Sequence, residues 1–248
     1  MKRLVGWRGI AVQVEGEPAV LDQLDQALPP FFERDGRVVA ESTLAEVDGV
    51  LTVHLPDDLT VSGPSGPEIL RAGASRIELL VAARHVDRSA VHAGVVAWED
   101  RAIVIPGTSM SGKSTLVKAL LAQGATYLSD EFALIDTDGA VWPYPRLMTI
   151  RTATGTARHQ PDGSASPDGP GHQVHLVVDL AYSPQGWSVT VPTPGELVMA
   201  LVANSLPIRR DPAHALDCLT AAVKGTPGVK GTRGEADDAA TRLLDLLR

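Results

Sequence analysis

Lysine and serine at the end of a glycine-bracketed run are the residues of this sequence best suited to chemistry. Gly107-Thr108-Ser109-Met110-Ser111-Gly112-Lys113-Ser114 fits the phosphate-loop pattern G-x-x-x-x-G-K-[ST], with Thr115 next in line. Such a loop turns successive backbone N–H groups into one concavity, and the helix that follows adds positive potential at its mouth. In that setting Lys113 reaches the outer phosphates and Ser114 is a ligand for Mg²⁺. The expected ligand is a nucleoside triphosphate with its magnesium ion.

Further along stand two adjacent acids, Asp130 and Glu131. One carboxylate of such a pair can hold Mg²⁺, directly or through water, while the other takes a proton from an attacking hydroxyl. The other reading is an acidic turn at a strand end. His92 precedes the loop, either facing the phosphates or packed on a sheet. Arg146 and Arg151 either supply donors to phosphoryl oxygens or are solvated. His159 and His172 lack metal-ligand spacing, and Cys218 sits in an apolar helical pattern as a small core residue.

These residues need elements to carry them. Ala102-Ile103-Val104-Ile105 reads as a buried strand entering the loop, and Thr115 to Ala122 as the helix leaving it, ended by Gly124. Val91 to Trp98 is a strand joined to 101–105 by a tight turn at Glu99-Asp100, and a short strand from Ala125 delivers the two acids. Phe132 to Asp136 and Ala140 to Trp142 form a hairpin around Asp138-Gly139. Residues 152–172 hold almost no apolar anchor and read as a long loop able to close over the site. Val174 to Leu180 returns to strand, and the remainder reads as mainly helical, over Glu196 to Asn204, Pro212 to Lys224 and Glu235 to Leu247. Before residue 88 the pattern is a small, strand-rich lobe with helices near 21–28 and 68–83, the second weakened by Gly73. The expected division is therefore 1–88 and 89–248.

Composition narrows the function classes. The chain has 248 residues, 44% of them hydrophobic, and a formal charge of −8. An acidic protein is poorly suited to broad nucleic-acid binding or to anionic membrane surfaces, so neither partner is expected. One cysteine allows no internal disulfide. No apolar stretch has the length of a leader or membrane span, so a cytoplasmic location is expected.

The string Val91-His92-Ala93-Gly94-Val95-Val96, the phosphate loop, and Gly124-Ala125-Thr126-Tyr127-Leu128-Ser129-Asp130-Glu131 together resemble the catalytic core of the HPr kinase/phosphorylase family. The likeness covers roughly residues 89 to 151 well. It implies an α/β fold with a phosphoenolpyruvate-carboxykinase-like P-loop core, a mixed sheet with flanking helices. Transfer of the γ-phosphoryl group of ATP to a hydroxyl of a peptide, protein serine or small metabolite is the implied activity. By the same resemblance Asp130 is the base, Glu131 serves metal or orientation, and His92 shares the site. Homo-oligomers occur in that family. This chain departs from it in having Asp-Glu where the family has Asp-Asp, and in keeping only Thr149-Ile150-Arg151 of a longer signature. The alternative class is a nucleotide-gated binding protein that holds ATP without transferring phosphate.

Overall fold

The computed structural model describes residues 1–108, 111–152, 155–206 and 210–247, with backbone alone over 150–152 and 155–157. The chain divides into two compact units, Met1–His85 and Val86–Arg248.

The first unit is a five-stranded sheet whose strands lie in chain order: β1 (Lys2–Trp7), β2 (Ile10–Glu15), β3 (Arg37–Val47), β4 (Val50–His54) and β5 (Val61–Pro64). Only β2 and β3 run parallel, and helix α1 (Pro18–Ala27) makes the crossover between them. Helix α2 (Pro67–Ala83) packs on the sheet. Gly73, which weakens the helix by propensity, is where α2 comes down on β4: a Cβ there would lie 2.8 Å from Val53 Cγ2. Residues 62–64 belong to β5, and the lobe opens with β1, joined to β2 by a turn with both Arg8 and Gly9 at positive φ.

The second unit carries the candidate chemistry. Its strands are β6 (Arg88–Trp98), β7 (Arg101–Pro106), β8 (Thr126–Ser129), β9 (Phe132–Asp136), β10 (Ala140–Trp142), β11 (Met148–Thr152), β12 (Gly155–His159), β13 (His172–Tyr182), β14 (Ser188–Thr190) and β15 (Gly228–Arg233). Its helices are α3 (Lys113–Ala122), α4 (Pro194–Val202), α5 (Pro212–Val223) and α6 (Ala236–Asp245). The main sheet runs β10-β9-β6-β7-β13-β15-β14, with β8 also on β6. Strands β7, β13 and β15 are parallel, and β6 is antiparallel to β7. Because β10 pairs with both β9 and β13, five strands close into a ring.

Both faces of this sheet are covered, which is why its strands read as apolar runs rather than alternations. Val96, Ile103, Ile105 and Leu176 pack under Leu116 and Leu120 of α3 and Leu243 of α6. Their neighbours along the strands, Val95, Val104 and Val177, face Leu197 of α4 and Cys218 and Leu219 of α5. Each such side chain, fully buried, contributes about 1.5–3 kcal/mol relative to exposure. Gly94 keeps α3 close to the sheet, since a Cβ there would lie 2.7 Å from Val117 Cγ2.

One expectation fails in this unit. Residues 152–172 are not an unanchored loop: β12 forms a hairpin with β11, and Gly163 and Ala165 exchange backbone hydrogen bonds with Tyr127 at 3.1 and 2.9 Å. The anchoring is backbone pairing along β8, which needs no apolar side chains. The stretch after Leu180 carries the three expected helices, α4, α5 and α6, and adds two strands, β14 and β15, that the sequence reading lacks. The glycines that make β15 look like a loop are close-approach positions. A Cβ on Gly231 would run into the Ser188 carbonyl of β14, and one on Gly228 would meet Leu197 of α4.

Candidate active site

The site is built at the end of β7. Pro106 closes the strand, the loop follows, and Gly112 at φ 88° turns the chain into α3. That left-handed conformation favours glycine. Lys113, Ser114 and Thr115 form the first turn of α3, with Lys113 buried and Thr115 exposed. Lys113 Nζ folds back over the loop and donates to the carbonyls of Gly107 and Thr108, both at 2.7 Å. Burial pushes its ammonium below the ordinary lysine value, against the pull of Glu131 and Asp130. Ser111 N donates to the Thr108 carbonyl at 3.3 Å. Ser109 and Met110 lie outside the described residues.

Strand β8 delivers the acids. It pairs with β6, and beyond Ser129 the chain turns sharply, with Ser129 Oγ accepting from the backbone N–H groups of Glu131 and Phe132 at 3.2 and 3.0 Å. Asp130 is buried, and its Oδ2 accepts from Ser114 Oγ at 3.1 Å. Its other oxygen, Oδ1, lies 2.9 Å from the Tyr127 hydroxyl. That hydroxyl also lies 3.1 Å from the Arg146 carbonyl, so one phenolic proton is shared between two acceptors. Burial, reinforced by the Asp130 charge, raises the Tyr127 phenol far above its usual range and keeps it a donor.

Glu131 points elsewhere. Its Oε1 lies 3.5 Å from His92 Nε2 and its Oε2 lies 3.4 Å from Arg146 NH1. His92 is on β6, edge-on to Phe132. Burial holds its imidazole below the ordinary histidine value; Lys113 and Arg146 press the same way, while Glu131 and Asp130 oppose. Arg146 is 9% exposed, so it is not a solvated arginine. The backbone of Arg151 lies on β11, and its side chain lies outside the described residues.

The structure thus brings Lys113, Ser114, Asp130, Glu131 and His92 into one cluster. Two participants have no signal in the sequence pattern. Tyr127 looks like one more apolar strand residue. Arg233, at the end of β15, donates from NH2 to the Gly112 carbonyl at 3.1 Å and from NH1 to the Gly234 carbonyl at 2.8 Å. Only the register of β15 beside β13, parallel to β7, brings its end to the same rim as the loop.

Ser114 Oγ and Asp130 Oδ2 are hard oxygen donors of the kind Mg²⁺ takes when phosphate and water complete its shell, so the pair fits that ion. Among the described residues no three His, Cys, Asp or Glu side chains gather as a protein-only metal cage. No described helix is long and apolar enough to cross a membrane.

No family model matches this chain, and no curated protein matches it. Among solved structures it is similar to the HPr(Ser) kinase/phosphatase from Coxiella burnetii, at 16% identity over 64% of this chain and 88% of that one, with a TM-score of 0.36. A likeness of that degree carries no assignment of activity.

Proposed function

We propose that this chain is an ATP-dependent phosphotransferase that moves the γ-phosphoryl group to a hydroxyl of a peptide, protein serine or small metabolite. The observation that carries the reading is the contact of Ser114 Oγ with Asp130 Oδ2 at 3.1 Å, beside a lysine folded over a strand–loop–helix turn. The loop amides and Lys113 bind the β- and γ-phosphates. Ser114 and Asp130 would hold Mg²⁺, which would supply positive charge to offset that of the phosphates.

Asp130 has capacity for an acceptor as well. A carboxylate offers about four lone-pair sites, of which Tyr127 and Ser114 engage two. As the acceptor oxygen bonds to the γ-phosphorus and the bridge to the β-phosphate breaks, ADP departs and the hydroxyl proton passes to Asp130. Glu131, held between His92 and Arg146, orients the acceptor rather than taking its proton. The low proton affinity of His92 keeps its imidazole neutral beside that carboxylate at neutral pH.

The test is transfer from γ-labelled ATP to hydroxyl-bearing peptides and to a metabolite extract, for the wild type and Asp130→Asn. Transfer is expected to fall by about 10²–10⁴-fold while ATP affinity stays within a few-fold of the wild type. Tight ATP binding with no transfer to any acceptor would overturn the reading in favour of a nucleotide-gated binding protein.

A further inference from the structure

Arg146 ends the run Pro143-Tyr144-Pro145-Arg146, four buried residues in succession on the way from β10 to β11, in neither helix nor strand. Proline has no N–H and a fixed φ, so this run has only the Tyr144 and Arg146 amides to satisfy. Tyr144 N donates to the Leu128 carbonyl of β8 at 2.9 Å, and Arg146 N to the Tyr144 carbonyl at 2.8 Å. The run is thereby laid on the strand that delivers the acids, and Arg146 has a fixed place although no regular element carries it.

From that place it bears on both acids. Its carbonyl accepts from the Tyr127 hydroxyl at 3.1 Å, and the same hydroxyl lies 2.9 Å from Asp130 Oδ1. Its guanidinium NH1 lies 3.4 Å from Glu131 Oε2, while Glu131 Oε1 lies 3.5 Å from His92 Nε2. The His92 side is braced from the same run. The Tyr144 ring packs edge-on to Phe132 at 5.7 Å, and Phe132 edge-on to His92 at 6.3 Å. Adjacent carboxylates repel one another, and the guanidinium gives one of this pair a counter-charge. The Glu131 side chain is 33% exposed, so its rotamer is set by what holds its two oxygens.

We infer that Arg146 is a positioning residue for phosphoryl transfer that acts through Glu131: it holds that carboxylate beside His92 and does not itself bind the nucleotide. The inference rests on the proposed function, in which Glu131 orients the acceptor. Without the guanidinium, Glu131 is free to turn on its own stem, and the acceptor hydroxyl loses the alignment on which transfer depends. A substitution at position 146 keeps the backbone carbonyl, so the contact of Tyr127 with Asp130 survives and the effect falls on Glu131.

The experiment is a double-mutant cycle of Arg146→Ala and Glu131→Gln. It reads transfer from γ-labelled ATP to serine-bearing peptides and a metabolite extract, alongside ATP affinity. Each single substitution is expected to lower transfer about ten- to a hundredfold, with ATP affinity within a few-fold of the wild type. The double variant should lie within about threefold of Glu131→Gln, because the two residues act as one unit. Arg146→Lys, which keeps a charge for Glu131, should recover part of the loss. Losses that multiply in the double variant would mean that Arg146 acts on another group. A matching loss of ATP affinity would place it on the nucleotide. Either result overturns the inference, as does unchanged transfer in Arg146→Ala, or an Arg146→Lys variant no better than Arg146→Ala. Should Arg146→Ala fail to fold, the cycle is run with Arg146→Gln. Any of these contrary results with an active wild type sinks this inference only; a wild type that transfers to no acceptor sinks the proposed function with it.

Discussion

Tyr127 is the residue on which the acid's geometry turns. Its hydroxyl is the one buried donor that the Asp130 Oδ1 and the Arg146 carbonyl have in common. Tyr127→Phe removes that donor and leaves two acceptors short of a partner, which should cost about 1–3 kcal/mol in urea unfolding and lower phosphoryl transfer at the same time. A loss of stability with transfer unchanged would show that Asp130 is positioned without it. His92 gives a pH test. Its folded-state value lies below the ordinary 6.5, so the unfolded chain takes up a proton first as pH falls, and stability is lost below 6.5. The fall of the melting midpoint on acidification should be shallower in His92→Gln than in the wild type. Cys218 sits fully buried in α5 with its thiol pushed up to about 11 by burial. It should resist alkylation at pH 8 in the native protein and react once the chain is denatured.

Among the elements, the turn between β6 and β7 stands out, since Glu99 and Asp100 both adopt positive φ, 48° and 63°. Two-residue hairpins demand that conformation, and Asn-Gly meets it with less strain. Replacing the pair by Glu99→Asn with Asp100→Gly should raise stability by about 1–2 kcal/mol in urea unfolding, the exposed Glu99–Arg101 pair being worth little. That turn was legible from sequence, as were β7, α3 and the hairpin of β9 and β10, because each is signalled by neighbouring residues. What escaped reading is what distance in sequence conceals. Strand β15 is specified by its fit between β13 and β14, where Gly231 admits a carbonyl, and not by β-forming residues. The segment 163–165 is held by backbone bonds to Tyr127 that any sequence could make. The same limit applied to the site: the phosphate loop and the acids could be read locally, whereas Arg233 joins Gly112 across 121 positions.

Taken whole, the chain is two compact units, each with its own sheet and its own buried apolar set. All the described members of the candidate site belong to the second, so residues 86–248 expressed alone should unfold cooperatively and retain ATP affinity. Loss of nucleotide binding in that fragment, with its fold intact, would mean that the first 85 residues supply part of the site. Strand β10 gives this unit a property that its short length hides. Val141 faces Ile135 on one side and His172 on the other, so three residues act as the clasp of a hoop. A hoop cannot be peeled from an end: the amides of Val104 and Ile105, leading into the phosphate loop, should exchange with deuterium only when the whole hoop opens, long after those of the marginal β14. Val141→Pro unfastens the clasp and bares a flank of β13 to other chains, so that variant should self-associate more readily than the parent as its concentration rises.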